Sequence, residues 1–158
     1  MKIRGITFED FVNYKKPSMF LVFPNCSFKC DKECGKPVCQ NGALVRIPIH
    51  EIPVTLLVES YLRNNITKAI VLGGLEPFDS WDELQELIKS LREKTNDDIV
   101  IYTGYTEEEL EDKIKILKKY KSIIIKFGRF IPDQESHYDE VLGIKLASNN
   151  QYGKVISE

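Results

Sequence analysis

The sequence predicts an α/β fold, a single domain in which helices flank a parallel sheet. Short apolar runs of strand length alternate with segments that have helical spacing. The chain has 158 residues, enough for one ordinary core. It contains no repeat and no linker rich in Pro, Gly or Ser, so we expect the domain to cover residues 1–158.

Four apolar runs predict the strands, at residues 19–23, 68–72, 99–102 and 122–126. Residues 142–146 are consistent with one further short strand, whereas the polar residues 133–139 predict a loop. Residues 3–16 have a mixed pattern that predicts no element. The strands are separated by enough residues for helical crossovers, which is what a parallel sheet requires.

Three helices are predicted between these strands. Residues 54–64 carry apolar side chains at helical spacing. Ser80 with Glu83, and Thr106 with Glu109, each have the spacing of a capping box at a helix start. The apolar positions that follow each box indicate helices packed against the sheet.

Charge gives no sign of a nucleic-acid or membrane partner. The chain has 22 basic and 24 acidic residues, a formal charge of -2, and no basic cluster. The N-terminus lacks the apolar core of a secretory signal, and no run of about 18 apolar residues suggests a membrane span. We therefore expect a cytoplasmic protein whose partners are proteins or small molecules.

All four cysteines lie close together, at Cys26, Cys30, Cys34 and Cys39. They follow the first predicted strand, and ligands collect at the carboxyl ends of strands in α/β folds. Disulfides are the least favoured interpretation, because the expected compartment is reducing. Spacing alone does not separate a zinc site from an iron–sulfur cluster.

The second strand ends in Gly73-Gly74, followed by Glu76. A double glycine allows close approach of a ligand or another backbone, although an ordinary glycine turn has the same pattern. His50 and His137 are far from the cysteines in sequence and have no partner motif, so surface or core positions are favoured over metal ligation.

In their common order these motifs resemble the radical S-adenosylmethionine (SAM) enzymes, and more narrowly the glycyl-radical activating proteins of anaerobic (class III) ribonucleotide reductase. The similar segments are residues 8–13, 26–41, 102–110, 128–130 and 148–151. The resemblance implies an incomplete α/β barrel of the radical SAM type. It also implies that a [4Fe–4S] cluster cleaves SAM reductively, with no catalytic residue beyond the cluster and SAM.

The resemblance further implies a ligand set. Three cysteines would each bind one iron, and SAM would chelate the fourth. The residues implied to contact SAM are Gly73, Gly74, Glu76, Thr103, Ser148 and Asn150. Cys26 and Cys30 match the first two cysteines of the family motif, but no cysteine lies three positions after Cys30.

The third cluster ligand is therefore Cys34 or Cys39. Cys39-Gln40-Asn41 matches the C-x-N ending of the family motif, which favours Cys39 and makes residues 31–38 an insertion with Cys34 spare.

The implied partners are a glycyl radical reductase subunit and an electron donor such as flavodoxin or ferredoxin. The alternative is a non-catalytic module on the same scaffold that binds zinc or an iron–sulfur cluster for electron transfer. Gly73, Gly74 and Glu76 favour the enzyme, because a zinc-stapled module does not need them.

Overall fold

A computed structural model describes residues 1–158 and contains ten strands and four α-helices. The strands are β1 (Lys2–Ile3), β2 (Gly5–Asp10), β3 (Ser18–Phe23), β4 (His50–Glu51), β5 (Ala69–Gly74), β6 (Asp98–Tyr102), β7 (Ile123–Phe127), β8 (His137–Asp139), β9 (Ile144–Leu146) and β10 (Tyr152–Ser157). The α-helices are α1 (Lys29–Cys34), α2 (Val54–Arg63), α3 (Trp81–Arg92) and α4 (Glu111–Leu117). Two 3₁₀ helices cover Gly42–Arg46 and Pro77–Ser80.

Six strands form the central sheet in the order β10-β7-β6-β5-β3-β2. The four inner strands, β3, β5, β6 and β7, are parallel, and both edge strands are antiparallel to their neighbours. The predicted all-parallel sheet is therefore wrong at its edges, and the fold is α/β with a mixed sheet. The segment between β2 and β3 is too short for a helical crossover, and antiparallel pairing needs none.

The four predicted strands are confirmed as β3, β5, β6 and β7, and the helix predicted over residues 54–64 is α2. These apolar runs form strands because both faces of an inner strand are buried. The loop predicted over residues 133–139 is wrong in part, because β8 pairs with β9 in a small antiparallel hairpin. Nothing in the local pattern of β8 indicates a strand, so its partner strand determines it.

The two predicted capping boxes differ in outcome. The Ser80 side chain makes no cap at α3; its Oγ lies 3.2 Å from Asn25 Nδ2, which donates to it. Thr106 and Glu109 do form reciprocal bonds, from Thr106 N to Glu109 Oε2 at 2.9 Å and from Glu109 N to Thr106 Oγ1 at 3.3 Å. They close a turn ahead of α4, which begins at Glu111.

Helices cover only one face of the sheet. The main core packs α2, α3 and α4 against one set of alternating strand side chains, among them Leu21, Leu72, Ile101 and Ile125. The opposite face has a smaller cluster in which Val71 and Val100 contact Tyr14, Leu142 and Leu146 from irregular segments and the β8–β9 hairpin. The rest of that face lies open and forms the wall of a cavity, which is lined by Phe20, Val22, Tyr102 and Lys126.

The longest α-helix, α3, has 12 residues. No helix combines the length and apolar character required to cross a bilayer.

Candidate metal centre

The cysteine-bearing segment begins where β3 ends and is held against the 3₁₀ helix Pro77–Ser80. Glu76 N donates to Asn25 O at 2.8 Å, and Ser27 N donates to Asp79 Oδ2 at 2.8 Å. The other carboxylate oxygen of Asp79 accepts from the Tyr105 hydroxyl at 2.6 Å. Asp79 thus connects the cysteine segment to the loop that follows β6.

Three of the four cysteines line one cavity of about 640 Å³. They are Cys26, Cys30 and Cys39; Cys34, at the end of α1, is not among the lining residues. The cavity lies at the carboxyl ends of the four parallel strands, where the chain segments after β3, β5, β6 and β7 converge.

The arrangement does not resemble a zinc site. No three Cys, His, Asp or Glu side chains lie close enough together to hold a single metal ion. Thiolates that share a zinc ion at about 2.3 Å must lie within about 4 Å of one another. Thiolates of a [4Fe–4S] cluster bind separate irons, so three cysteines spaced around a cavity suit a cluster better.

The thiols of Cys26 and Cys30 are held in their neutral form. Burial raises the pKa of Cys26 to about 11, and the nearby carboxylates of Glu76 and Asp79 act in the same direction. Burial also raises the pKa of Cys30, against the lowering effect of the Phe130 N–H and the charges of Lys126 and Arg129. A cation that accepts the thiolate charge would remove this penalty, which is what iron coordination does.

Glu76 is a buried carboxylate that lines the same cavity. Its Oε1 accepts from Phe78 N at 3.1 Å and from Thr103 Oγ1 at 2.9 Å, and its Oε2 accepts from Gly104 N at 2.9 Å. Burial raises the pKa of Glu76 to about 7, although all three hydrogen bonds favour the charged form. Glu76 therefore fastens the turn after β5 to the loop after β6.

Lys126 is a cavity residue that sequence reasoning missed. It is 8% exposed, and its Nζ donates to Gly128 O at 3.1 Å, with no carboxylate within ion-pair distance. Gln151 Nε2 donates to the same carbonyl oxygen at 3.3 Å. Burial lowers the pKa of Lys126 to about 8. The available signal was a lysine at the end of an otherwise apolar strand, where a charge must be turned toward a cavity.

Arg129 joins α1 to the loop before α4. Its Nη2 donates to Glu109 Oε1 at 2.6 Å, and its Nε lies 3.2 Å from Glu33 Oε1. The second contact is an ion pair only, because Nε is not aligned to donate a hydrogen bond. The guanidinium also lies 6.0 Å from the centre of the Tyr105 ring. These contacts hold the α1 helix beside the cavity.

The residues implied to contact SAM lie in different places. Gly74, Glu76 and Thr103 line the cavity with the three cysteines. Gly73 lies on the cavity face of β5, where a β-carbon would come within 3.2 Å of Tyr102 Cβ and 3.3 Å of the Phe20 ring.

Ser148 and Asn150 are not among the cavity-lining residues. The Ser148 hydroxyl donates to Asn150 Oδ1 at 2.7 Å, and Asn150 Nδ2 donates to Arg129 O at 2.8 Å. Their side chains thus stabilise the turn that places Gln151 in the cavity wall. His50 and His137 lie on β4 and β8, outside the cavity.

A comparison with protein families decides the class of cofactor. The family model described as a 4Fe-4S single cluster domain matches residues 17–152, which include all four cysteines and every cavity-lining residue from Phe20 onward. The chain belongs to this family. No curated protein and no solved structure matches the chain.

Family membership confirms the predicted iron–sulfur cofactor and favours it over zinc. The residues present fit such a cluster. Three thiols face one cavity, and Phe28 N donates to Cys26 Sγ at 3.2 Å, a hydrogen bond of the kind that tunes clusters of this class. A cluster held by these three cysteines would leave one iron without a protein ligand, and Gly74, Glu76 and Thr103 line the same cavity as the three thiols.

Proposed function

We propose that this protein is a radical SAM activating enzyme. It uses a [4Fe–4S] cluster held by Cys26, Cys30 and Cys39 to generate a glycyl radical on a partner anaerobic ribonucleotide reductase. The observation that carries the proposal is that these three thiols share one cavity with the glycine turn at Gly74 and with Thr103. A cavity of about 640 Å³ suits a ligand of the size of SAM.

When bound, the cluster supplies the electron that cleaves SAM to methionine and a 5′-deoxyadenosyl radical, which takes a hydrogen atom from the partner's glycine. The protein's own residues bind and orient SAM and exclude water. Gly74 has φ +79 and exposes backbone to the cavity, which supports close approach of the methionine part of SAM.

Charged groups in the cavity wall suit a zwitterionic ligand. The buried ammonium of Lys126 has one hydrogen-bond acceptor for its three donors, so it can bind a carboxylate. Glu76 Oε2 accepts one hydrogen bond and keeps capacity for a second donor, such as an amino group. We assign the methionine carboxylate to Lys126 and the methionine amino group to the Glu76 side of the cavity.

The placement of the helices supports the incomplete barrel expected for radical SAM enzymes. α2, α3 and α4 pack on one face of the sheet, and the cavity lies on the other. The reduction requires an external one-electron donor, for which we propose a flavodoxin or a ferredoxin. The competing function is electron transfer without SAM chemistry, which has no use for the buried ammonium of Lys126 in the cavity.

The deciding experiment is anaerobic reconstitution with iron and sulfide, reduction with dithionite and chromatographic detection of 5′-deoxyadenosine. We expect about four irons per chain and slow SAM cleavage, accelerated by the correct reductase. Cys30→Ala is the matched control, because it removes one thiol and should abolish both cluster and cleavage.

A fully loaded wild-type protein that forms no 5′-deoxyadenosine, with or without a glycyl radical reductase, would leave electron transfer as the function. If 5′-deoxyadenosine forms but a radical never appears on the reductase, another partner is indicated.

A further inference from the structure

Asp31, on α1 between Cys30 and Cys34, makes two short contacts with the end of the cysteine segment. Its Oδ1 accepts hydrogen bonds from Val38 N and Cys39 N, both at 2.7 Å. No other side chain hydrogen-bonds the backbone of residues 35–39. A single carboxylate oxygen of Asp31 thus fixes the backbone of Val38 and Cys39.

These bonds matter because of where the chain goes between Cys30 and Cys39. α1 ends at Cys34, and Gly35, with φ +69, turns the chain out of the helix. Residues 35–37 are exposed, and a β-carbon on Gly35 would meet nothing within 4 Å. An exposed turn with so few contacts would leave Cys39 free to move relative to Cys30.

A carboxylate that accepts two backbone N–H bonds is a strong tether. Hydrogen bonds to an ionised acceptor are shorter and about twice as strong as neutral ones. Asp31 directly follows Cys30, which lines the cavity. Its bond to Cys39 N therefore ties the backbone of Cys39 to that of Cys30. Cys34 is held by α1 alone and lies outside the cavity lining.

We propose that Asp31 is a positioning residue that sets Cys39 as the third cluster ligand. The interval between Cys30 and Cys39 is too long to fix their relative positions by itself. The Asp31 side chain supplies that constraint instead. The proposal rests on the assignment of Cys39 as a ligand in the proposed function. It concerns cluster retention and needs no SAM chemistry, so the two can fail separately.

The test measures the rate at which the reconstituted protein releases iron to a chelator, followed by absorbance. Asp31→Ala should release iron about tenfold faster than wild type or more, because two charge-assisted hydrogen bonds are lost. Asp31→Asn keeps an acceptor oxygen at the same position without its charge and should restore part of the retention. Lys32→Ala, an exposed neighbour on α1, is the matched control and should behave as wild type.

A Cys34→Ala background shows whether Asp31 acts through Cys39 or through Cys34. If Asp31 positions Cys39, the full acceleration by Asp31→Ala should remain when Cys34 is replaced. The electron paramagnetic resonance spectrum of the reduced cluster should change in Asp31→Ala and recover in Asp31→Asn.

Unchanged iron release in Asp31→Ala would overturn the proposal. Acceleration that disappears in the Cys34→Ala background would also overturn it, because Asp31 would then act through Cys34.

Discussion

Glu76 Oε1 and Thr103 Oγ1 lie 2.9 Å apart and join the ends of two neighbouring parallel strands. The same hydroxyl accepts from Tyr105 N at 3.0 Å, so Thr103 bridges the Glu76 carboxylate and its own loop. Both side chains are buried in the cavity wall. Glu76 and Thr103, both implied to contact SAM, therefore also contact each other. Hydrogen bonds between polar groups of the protein thus hold the cavity wall in place.

Thr103→Val tests this bridge. Valine has nearly the same shape but leaves the partly buried Tyr105 N–H without its acceptor and removes one donor to Glu76. We expect a loss of about 1–3 kcal/mol in the free energy of unfolding, measured by denaturant titration. Thr55→Val, at an exposed position on α2, is the control and should change stability little. Equal stability of the two variants would mean that the bridge contributes nothing.

Cys34→Ala and Cys39→Ala separate the spare cysteine from the ligand. Cys39 lines the cavity and Cys34 does not, so Cys34→Ala should keep about four irons per chain and Cys39→Ala should lose the stable cluster. Iron analysis and absorbance after reconstitution measure both. The reverse result would transfer the ligand role to Cys34. Loss of the cluster in both variants would mean that both cysteines contribute to cluster binding.

Gly74→Ala should destabilise the fold itself. Gly74 has φ +79, and its β-carbon would come within 2.5 Å of Val22 Cγ1 on β3, the strand that leads into the cysteine segment. We expect a loss of about 1–3 kcal/mol in the free energy of unfolding. Gly5→Ala is the control, because its β-carbon would also face Val22 but at an ordinary van der Waals distance, 3.6 Å from Cγ2. A wild-type unfolding midpoint for Gly74→Ala would show that this turn can relax.

Lys126→Met should weaken SAM binding by about tenfold or more, because a buried charge opposite the ligand carboxylate is lost. Lys126→Arg keeps the charge and should bind better than Lys126→Met. The control is Lys145→Met, which removes an exposed lysine from the cavity lining. Equilibrium dialysis with labelled SAM on cluster-loaded protein measures the affinities. Unchanged affinity in Lys126→Met would refute the carboxylate assignment while leaving SAM cleavage untouched.

The same lysine predicts a pH dependence. Burial lowers the pKa of Lys126 to about 8, so the ammonium is charged below that pH and becomes neutral above it. Wild-type affinity for SAM should therefore fall as the pH rises through about 8. Lys126→Arg should show a flatter profile, because the guanidinium does not titrate in this range. An identical fall in both proteins would place the titrating group on SAM.

Arg129→Gln should lower stability at neutral pH more than in acid. The hydrogen bond from Arg129 lowers the pKa of Glu109 to about 2, so the stabilising contribution of the ionised carboxylate is present above about pH 4.5 and is lost as the pH falls toward 2. The difference from wild type in denaturant unfolding of iron-free protein should thus shrink between pH 7 and pH 3. Arg63→Gln, which breaks an exposed pair with Glu59, is the control. A difference that is constant with pH would contradict an ionic contribution.

The sequence by itself determined the inner part of this fold and the position of a metal centre along the chain. Apolar runs such as residues 99–102 can be satisfied only by burial on both faces, so the four parallel strands follow from local pattern. Four cysteines so close together after a strand indicate metal chemistry, and the resemblance of their common order with the glycine turn to a known family implied an iron–sulfur cluster.

Only the tertiary structure decided the edges of the sheet and the membership of the site. β2, β8 and β10 exist because a partner strand offers hydrogen bonds, which no local periodicity records. The exclusion of Cys34 from the cavity and the inclusion of Lys126 depend on which way α1 and β7 face. Contacts such as that between Asp31 and Cys39 arise from how the chain folds back after Gly35, and a linear pattern does not contain that information.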